Sequence, residues 1–353
     1  MELFENKTKT KLLPKAGKYI IIGVAVAFVF AGFRAYQLYQ FIFRENVKNE
    51  FVLYVPENAI YQQVTDSLTK NNALVSIKAF LWVSKKKEYK NNIKTGRYLL
   101  KEGMNTNQIV NMLKGGLQTP LNVTFNNVRT PEELAGKVSK YIIADSVSLL
   151  ILFSDTALIN KEGFEKETFR TMFLPNTYEF YWTTTAEEFA ERMKTEYDKF
   201  WNADRREKAE NLNLSLPEVT TLASIVQAET VKKDEQPRIA GLYLNRLKKG
   251  QPLQADPTVK YAVGDFSLKR ILNVHLQVES PYNTYKYAGL PPGPINFPET
   301  TSIDAVLNYE KHNYLYMVAK EDFSGYHNFA VTFDEHTRNA VKYRRELDRL
   351  NIK

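Results

Sequence analysis

Three stretches in the first half of the chain share one pattern of hydrophobic and polar positions. Each has a β-rich hydrophobic run, a polar turn and a segment whose apolar residues recur at helical spacing, and they lie at 51–68, 97–113 and 122–138. This order predicts a strand followed by a helix in each copy. Asn105 in the second copy and Thr130 before Pro131 in the third are typical helix N-caps. We therefore predict a β/α module over 48–145.

The second half of the chain combines helical patterns with Gly/Pro-rich loops. Residues 149–213 have the pattern of a helical connector, in which Thr184 is the expected cap of a helix over 186–200. From Ser215 onward, strong helices are followed by loops. Two strands and a charged final helix complete the pattern, at 314–319, 327–333 and up to 350. The chain is thus predicted to be α+β, with a mixed α+β domain over 146–353.

The amino-terminal region contains an uninterrupted apolar run over 19–33, preceded by several lysines. Positive residues remain on the cytoplasmic side of a membrane, so a cytoplasmic tail over 1–18 and a single transmembrane helix over 19–43 are predicted. A cleaved signal peptide and a buried core helix are the alternatives. The first two readings place the folded part outside the cytoplasm. We expect a single-pass protein of the inner (plasma) membrane with a periplasmic, extracytoplasmic folded part.

The composition limits the classes of function to be considered. A chain of 353 residues with 44% hydrophobic and 25% charged residues is long enough for two folded units and a membrane segment. The net charge of +8 suits an anionic partner without identifying it, and the expected location argues against nucleic acid. The absence of cysteine excludes thiolate catalysis, zinc–thiolate sites and disulfides. The four histidines lack close metal-ligand spacing, so neither a metal nor a cofactor is predicted.

One acidic residue at the end of a predicted helix is the candidate for chemistry. Ser215 and Glu218 form a capping-box pattern that starts a helix, and apolar residues three, four and seven positions before Glu229 share its helical face. Apolar surroundings raise the pKa of a carboxyl group, so Glu229 is predicted to hold a proton near neutral pH. A general acid for glycosidic cleavage needs this property. The alternative is that Glu229 reaches solvent or pairs with Lys232 or Lys233.

The helix that carries Glu229 has the sequence ASIVQAET over 223–230. It resembles the catalytic-helix motif of the membrane-bound endolytic murein transglycosylases, the YceG-like family. Further motifs similar to those of that family follow in the same order, at 244–247 (LNRL), 253–259 (LQADPTV), 282–285 (YNTY) and 289–295 (GLPPGPI). An upstream segment, 173–178 (FLPNTY), resembles another family element. The resemblance is most specific over 223–295 and implies that 146–353 is a catalytic domain.

The resemblance implies a peptidoglycan lytic transglycosylase, which is a lyase and not a hydrolase. Glu229 would protonate the oxygen between N-acetylmuramic acid and N-acetylglucosamine, and its carboxylate would then take the proton of the muramoyl C6 hydroxyl. The product is a 1,6-anhydromuramoyl end. The family also implies cleavage of nascent strands that limits glycan length, with peptidoglycan strands, the inner membrane and wall-synthesising polymerases as partners.

Polar and aromatic residues of these motifs are the predicted contacts of the sugars. Neutral amide and hydroxyl side chains suit sugar hydroxyl and acetamido groups, and tyrosine rings, that of Tyr261 included, either stack on pyranose faces or fill the core. Asp256 is either a second carboxylate at the reaction centre or part of an Asp-Pro turn that orders its loop. The predicted substrate contacts are Gln254, Asp256, Thr258, Tyr282, Asn283, Thr284, Tyr285 and His327.

Two positions depart from the family pattern. Many relatives have a second acid two residues before the catalytic glutamate, where this chain has Gln227. Relatives often have aspartate where this chain has Asn176, for which we expect a turn-forming role. Because Gln227 is not acidic, Glu229 is the predicted catalytic acid of this motif.

A non-catalytic, peptidoglycan-binding membrane scaffold is the alternative function. The β/α copies over 48–145 are compatible with carbohydrate-binding modules of the LysM type, although they also occur in many other α+β proteins. A muramidase that uses water, with Asp256 assisting, is a third reading. Reducing rather than anhydro product ends would distinguish it from a lytic transglycosylase.

Overall fold

The chain forms two compact units, Met1–Pro120 and Leu121–Lys353. The computed structural model describes residues 15–268 and 270–350. Most of the predicted cytoplasmic tail over 1–18 therefore lies outside the described residues. Both units combine helices with antiparallel strand pairs, so the predicted α+β class is confirmed.

Helix α1 (Lys15–Phe43) spans 29 residues, a length of about 43 Å at the usual rise per residue. Its stretch Gly17–Phe43 is long and apolar enough to cross a membrane, and none of its most hydrophobic part is buried. A helix exposed in this way is not part of a protein core, which contradicts the core-helix alternative. Length and composition of this kind are found in membrane anchors and in signal sequences alike.

Two antiparallel strands, three α-helices and a short 3₁₀-helix (Tyr89–Asn91) make up the rest of the first unit. The strands and α-helices are β1 (Phe51–Val55), α2 (Tyr61–Lys70), α3 (Ile77–Lys86), β2 (Gly96–Leu100) and α4 (Thr106–Gly115). Strand β1 pairs with β2, with Phe51 opposite Leu100. The predicted cap Asn105 accepts a hydrogen bond from the backbone of α4, and Gly116 ends that helix in the left-handed region at φ 68°. Alternate residues of β2 are buried in a hydrophobic core that belongs to this unit.

The third β/α copy belongs to the second unit. It forms β3 (Leu121–Phe125) and α5 (Pro131–Val138), and Thr130 caps the helix as predicted. Strand β3 pairs antiparallel with β4 (Asn176–Phe180), which lies in the stretch predicted to be a helical connector. Because the two strands are far apart in sequence, local periodicity gives no sign of their pairing. The boundary between the units consequently lies inside the predicted module 48–145.

The remainder of the second unit is mainly helical. Its elements are α6 (Ser146–Ile151), α7 (Thr156–Lys161), α8 (Ala186–Phe200), α9 (Ala203–Leu212), α10 (Leu216–Glu229), α11 (Gln236–Lys248), α12 (Asp256–Val263), α13 (Thr300–Leu307), β5 (Tyr316–Ala319), β6 (His327–Ala330) and α14 (Phe333–Arg349). The cap of α8 is Thr185 and not the predicted Thr184. The reason is local, since Thr185 forms a reciprocal capping box with Glu188 while Thr184 is buried.

Helix α10 runs through the core of the second unit. Every residue from Val219 to Val226 is buried, so the middle of the helix is enclosed on all sides and not on one face only. The hydroxyl groups of Thr220 and Thr221 donate to backbone carbonyl groups one turn earlier, which satisfies these buried polar groups. Helices α11 and α13 pack against α10. The end of α10 is therefore held firmly by its neighbours.

The last elements of the chain form a surface layer on the second unit. Strands β5 and β6 are antiparallel, with Tyr316 opposite Ala330. Helix α14 packs on both strands, and none of its residues is buried. This amphipathic helix is thus supported from one side only.

Candidate active site

Glu229 is the last residue of α10. The helix begins with the predicted capping box, in which the Ser215 hydroxyl accepts from the Glu218 backbone and the Glu218 carboxylate accepts from the Ser215 backbone at 2.7 Å. The next residue after the helix, Thr230, has extended backbone geometry with φ −142°. Glu229 therefore lies at the negative end of the helix dipole, which disfavours a charged carboxylate.

A buried tyrosine holds the Glu229 carboxyl group in place. Tyr243 on α11 donates its hydroxyl to Glu229 Oε1 over 2.7 Å, and only 1% of Tyr243 is exposed. Burial raises the pKa of Glu229 from its usual 4.5 to about 7. The Tyr243 hydrogen bond lowers this pKa, the charge of Asp256 raises it, and His327 and Arg246 lower it. Glu229 is consequently able to hold a proton near neutral pH.

A second carboxylate lies at the start of another helix. Asp256 is the first residue of α12 and is followed by Pro257, so the positive end of the helix dipole favours its negative charge. Tyr285 donates its hydroxyl to Asp256 Oδ1 over 2.6 Å. Asp256 is exposed, whereas Glu229 is partly buried at a helix C-terminus. The two carboxyl groups therefore have contrasting surroundings, one at the end of a helix and one at the start of a helix.

Glu229 and Asp256 face open space on two sides. A cleft of about 880 Å³ has both residues in its wall, together with residues of α12, α14 and the loop before α5. A smaller cavity of about 210 Å³ also contains both, along with Tyr285 and His327. Glu229 is partly exposed and lines both cavities, so the residue is not sealed in the core. A saccharide therefore has room beside the acid.

His327 lies beside the acid and is fixed by a buried carboxylate. Glu235 accepts hydrogen bonds from the His327 backbone and from His327 Nδ1, each over 2.8 Å. Only 4% of Glu235 is exposed. Burial raises the pKa of Glu235, but the hydrogen bonds from His327 outweigh it and hold that pKa below its usual value. Glu235 thus remains ionised at neutral pH and orients the imidazole ring. Sequence reasoning missed Glu235, which stands just before α11 without capping it.

Arg246 is a further buried group that sequence reasoning missed. Its Nε donates to the Leu315 carbonyl over 2.6 Å and one Nη donates to the Leu253 carbonyl over 2.8 Å, which joins α11 to two loops. Arg246 also donates to Gln254 Oε1 over 3.3 Å, so this predicted contact lies in the wall of the smaller cavity. Tyr243 and Arg246 are three residues apart on α11, a spacing that places both on one helical face. That spacing was the available signal in the sequence.

Three predicted sugar contacts are buried beneath the site. Thr258, Asn283 and Thr284 are each at most 1% exposed. Thr284 Oγ1 accepts from the Ala255 backbone over 3.1 Å and contacts Thr258 Oγ1 over 2.8 Å. Asn283 uses its amide for backbone groups on its own loop, such as the Val278 carbonyl at 2.9 Å. These side chains therefore join the loops that carry Asp256 and Tyr285, and their polar groups are used inside the protein.

The predicted stacking residues differ in their positions. Tyr261 lines the larger cleft, whereas Tyr282 is partly buried behind it, with 4.7 Å between the ring centroids. The guanidinium of Arg170 lies 5.6 Å from the centre of the Tyr261 ring. The Tyr261 ring is thus held between two neighbours in the wall of the cleft, and Tyr282 supports it.

Comparison with known proteins assigns the chain to a family. The sequence model of the YceG-like family matches residues 53–342. The chain belongs to the YceG-like family. This confirms the family predicted from the motifs.

Individual relatives of this YceG-like protein agree with the assignment. An endolytic murein transglycosylase of Bacillus subtilis (strain 168) is 30% identical over 305 residues, which cover 82% of this chain and 83% of that protein. An endolytic murein transglycosylase of Streptococcus pneumoniae serotype 2 is 26% identical over 328 residues, which cover 84% of this chain and 59% of the longer pneumococcal protein. A crystal structure of a YceG-like protein from Listeria monocytogenes is 27% identical with a TM-score of 0.55, and covers 82% of this chain and 99% of its own.

Two of the YceG-like motifs meet where α10 contacts the Gly/Pro-rich loop. Ser224 Oγ accepts from the Ile295 backbone over 3.0 Å, and the Ser224 carbonyl accepts from the Asn296 side chain over 2.9 Å. A side chain at Gly293 would collide with the backbone of Glu167, so only glycine fits there. The loop is thereby fixed to the catalytic-helix motif and forms a wall of the larger cleft.

The two residues that depart from the YceG-like pattern, Gln227 and Asn176, both accept hydrogen bonds within the protein. Gln227 Oε1 accepts from the Glu299 backbone over 2.7 Å and from the Ser302 hydroxyl over 3.0 Å, which connects α10 with α13. Asn176 is exposed at the start of β4, where its side chain accepts a hydrogen bond from the Thr177 backbone. Gln227 therefore positions the helix that ends in Glu229.

Proposed function

We propose that this YceG-like protein is a lytic transglycosylase that cleaves murein, with Glu229 as its general acid and base. The observation that carries the proposal is a protonatable carboxyl group, held by Tyr243, in the wall of an open cleft. Support for murein as the substrate comes from the relatives, which are named endolytic murein transglycosylases. A non-catalytic scaffold would not need a carboxyl group with a pKa near neutral in a cleft, whereas an acid catalyst would.

The first step is cleavage of the bond between N-acetylmuramic acid and N-acetylglucosamine. Tyr243 occupies Oε1 of Glu229, which leaves Oε2 to carry the proton toward the glycosidic oxygen. That oxygen takes the proton and both electrons of its bond to the muramoyl C1, and it leaves as a hydroxyl group. Positive charge then develops at C1, which the negative charge of Asp256 in the same cleft stabilises.

The second step closes the anhydro ring. The Glu229 carboxylate takes the proton of the muramoyl C6 hydroxyl, whose oxygen forms a bond to C1. Glu229 is thereby protonated again, and the product carries a 1,6-anhydromuramoyl end. Because the nucleophile belongs to the substrate, one acid/base residue is sufficient.

The proposed location is supported by the apolar helix α1, and the proposed wider role by the family resemblance. We assign α1 as a membrane anchor, the residues before it as a cytoplasmic tail, and the second unit as an extracytoplasmic catalytic domain in which Gln254, Asp256, Tyr285 and His327 contact the glycan. The β/α part of the first unit is proposed to be the LysM-like module. Cleavage of nascent strands near the membrane would limit their length, with wall-synthesising polymerases as partners.

Product analysis tests the proposed reaction. We expect the full-length chain in detergent to release fragments with 1,6-anhydromuramoyl ends from purified peptidoglycan, detected by mass spectrometry. Glu229→Gln should reduce the rate by about 100-fold or more, because the amide cannot donate the proton. Glu187→Gln, at an exposed position on α8, makes the same substitution away from the cleft and should leave the rate unchanged.

The alternatives predict other outcomes of the same assay. Reducing ends in place of anhydro ends would assign the nucleophile as water and the enzyme as a muramidase, with Asp256 as the second carboxylate. Binding to peptidoglycan without any cleavage, unchanged in Glu229→Gln, would identify a scaffold.

A further inference from the structure

The larger cleft beside Glu229 has a strongly basic wall. Arg129, Lys260, Arg270 and Arg344 line it. None of the four takes part in an ion pair among residues 15–268 and 270–350. We call these four side chains the basic wall. The cations outnumber the carboxyl groups in the cleft, which are those of Glu229 and Asp256.

The basic wall is assembled from separate parts of the second unit. Arg129 precedes α5, Lys260 belongs to α12, Arg270 follows α12 in a loop, and Arg344 belongs to α14. The Arg129 guanidinium lies over the ring of Phe266, 4.5 Å from its centre, which restricts its position. Four cations against two carboxyl groups give the cleft an excess of positive charge, even with Asp265 near Lys260. An anion in the cleft would be attracted by this excess.

The basic wall has little part in setting the acidity of Glu229. The main influences on the pKa of Glu229 are burial, Tyr243, Asp256, His327 and Arg246. The last two belong to the smaller cavity, not to the larger cleft. The basic wall is therefore available to contact a ligand.

The chemistry of murein indicates which part of the substrate is anionic. Its sugars are neutral, and its carboxylates belong to the short peptides attached to the lactyl group of muramic acid. The muramic acid residue at the proposed cleavage site carries such a peptide, which therefore starts within one sugar of Glu229. Phosphate groups of wall polymers or lipid carriers are a second source of negative charge, but they are not attached to each muramic acid residue.

We infer that the basic wall binds the carboxylates of the stem peptide on the muramic acid residue that undergoes cleavage. This inference rests on the proposed function and adds a specificity to it: the enzyme acts on peptide-bearing strands in preference to bare glycan. The cations form a recognition surface next to the acid and take no part in proton transfer.

Binding to matched glycan strands tests the inference. The full-length chain with Glu229→Gln is used in detergent, so that no cleavage occurs. Its affinity is measured for peptide-bearing strands and for the same strands after an amidase has removed the peptides. The amidase leaves one lactyl carboxylate on each muramic acid residue, so the stripped strands lose the peptide carboxylates and keep a single negative charge per muramic acid. We expect about tenfold weaker binding to the stripped strands, in line with the loss of several exposed charge pairs.

Charge removal at the basic wall gives the second comparison. Lys260→Gln with Arg270→Gln should weaken binding to peptide-bearing strands by about tenfold, and should weaken binding to stripped strands, which keep only the lactyl carboxylate, much less. Arg129→Gln with Arg344→Gln tests the other two cations in the same way. The matched control is Lys140→Gln with Lys199→Gln, which removes two exposed charges of the same unit outside the cleft and should change neither affinity.

Several results would overturn the inference. Equal affinity for both kinds of strand, or an equal loss on both in the two cleft variants, would mean that the peptide is not recognised. Loss of binding after hydrofluoric acid removes phosphate polymers, with the peptides retained, would assign the anion as phosphate. Peptide-dependent binding by a protein whose unsubstituted form releases no cleaved product would support the recognition surface while refuting the proposed reaction.

Discussion

At the scale of single residues, the position of Glu229 explains its proposed chemistry. The residue ends a helix, so it meets the negative end of the dipole, and burial raises its pKa to about 7. Tyr243 fixes one of its oxygen atoms and leaves the other free to face the cleft. Asp256 has the opposite surroundings, at the start of α12. The two carboxyl groups therefore have contrasting surroundings in one cleft, which suits the two roles proposed for them.

The pH dependence of cleavage follows from this pKa. The acid form of Glu229 must be present at the start of the reaction, so kcat/KM should fall by about tenfold per pH unit above about pH 7. Initial rates of anhydro-end formation between about pH 5 and pH 9 measure it. A rate that is independent of pH over this range would contradict the assignment of Glu229 as the acid.

Stability provides an independent check on the same carboxyl group. Because folding raises the pKa of Glu229, its contribution to stability is fully present below about pH 4.5 and is lost as the pH rises through about 7. Glu229→Gln stays neutral at every pH. The thermal unfolding midpoint of Glu229→Gln, measured relative to that of the unsubstituted protein, should therefore rise as the pH increases from about 5 to about 8. A constant difference would indicate an ordinary pKa at this position.

The buried Glu235 should affect substrate binding more than turnover. Glu235→Gln weakens the two hydrogen bonds that orient His327, whose ring lines the smaller cavity. We expect KM for murein to rise about tenfold with a smaller change in kcat, because charge-assisted hydrogen bonds are lost. Glu310→Gln, which removes an exposed carboxylate paired with Arg238 on α11, serves as the control and should change neither constant. A fall in kcat alone would give His327 a role in proton transfer.

At the scale of elements, α10 determines where the acid lies. Its start is fixed by the Ser215–Glu218 capping box and its middle is buried on all sides. The Gly/Pro-rich loop is attached to it through Ser224, and α13 through Gln227. These attachments position the cleft wall relative to Glu229, and Gln227, Ile295 and Asn296 themselves line the larger cleft.

Removal of the helix cap should lower stability without changing the reaction. Ser215→Ala removes the hydroxyl that accepts from the Glu218 backbone and should cost about 1 kcal/mol of stability. The cap is at the far end of α10, so kcat at low temperature should stay the same. Thermal unfolding and initial rates measure the two effects. Thr185→Ala at α8 is the matched cap variant, and a fall in kcat seen with Ser215→Ala alone would show that the start of α10 influences the acid.

At the scale of the whole molecule, the chain divides into a smaller unit with α1 and the first β/α elements and a larger unit that contains the candidate site. The division after Pro120 results from the pairing of β3 with β4, which gives the third β/α copy to the larger unit. All residues of both cavities belong to that larger unit. The reaction is therefore proposed for the larger unit.

Whether α1 is retained or cleaved determines whether the chain is anchored in the membrane. We expect the protein isolated from cells to retain α1 and to stay in the membrane fraction after an alkaline carbonate wash, because its exposed apolar length matches a bilayer. Intact-mass measurement and fractionation test this. A soluble protein that starts after α1 would identify a cleaved signal sequence.

The sequence by itself determined the local elements and the family. Periodicity and caps predicted α4, α5 and α10 with their caps Asn105, Thr130 and Ser215, because these signals depend on neighbours within one or two turns. The ordered motifs predicted the YceG-like family, and the apolar face of α10 indicated a raised pKa for Glu229.

Only the tertiary structure decided which side chains surround that acid. The strand pairing of β3 with β4, the hydrogen bond from Tyr243 and the Glu235–His327 contact join positions far apart in sequence, which no local pattern encodes. The burial of Asn283 and its neighbours could not be predicted from the sequence either. The identity of a polar residue in a motif does not show whether its side chain contacts a sugar or another loop of the protein. Packing decides between these outcomes, because each buried polar group must find a partner inside the protein.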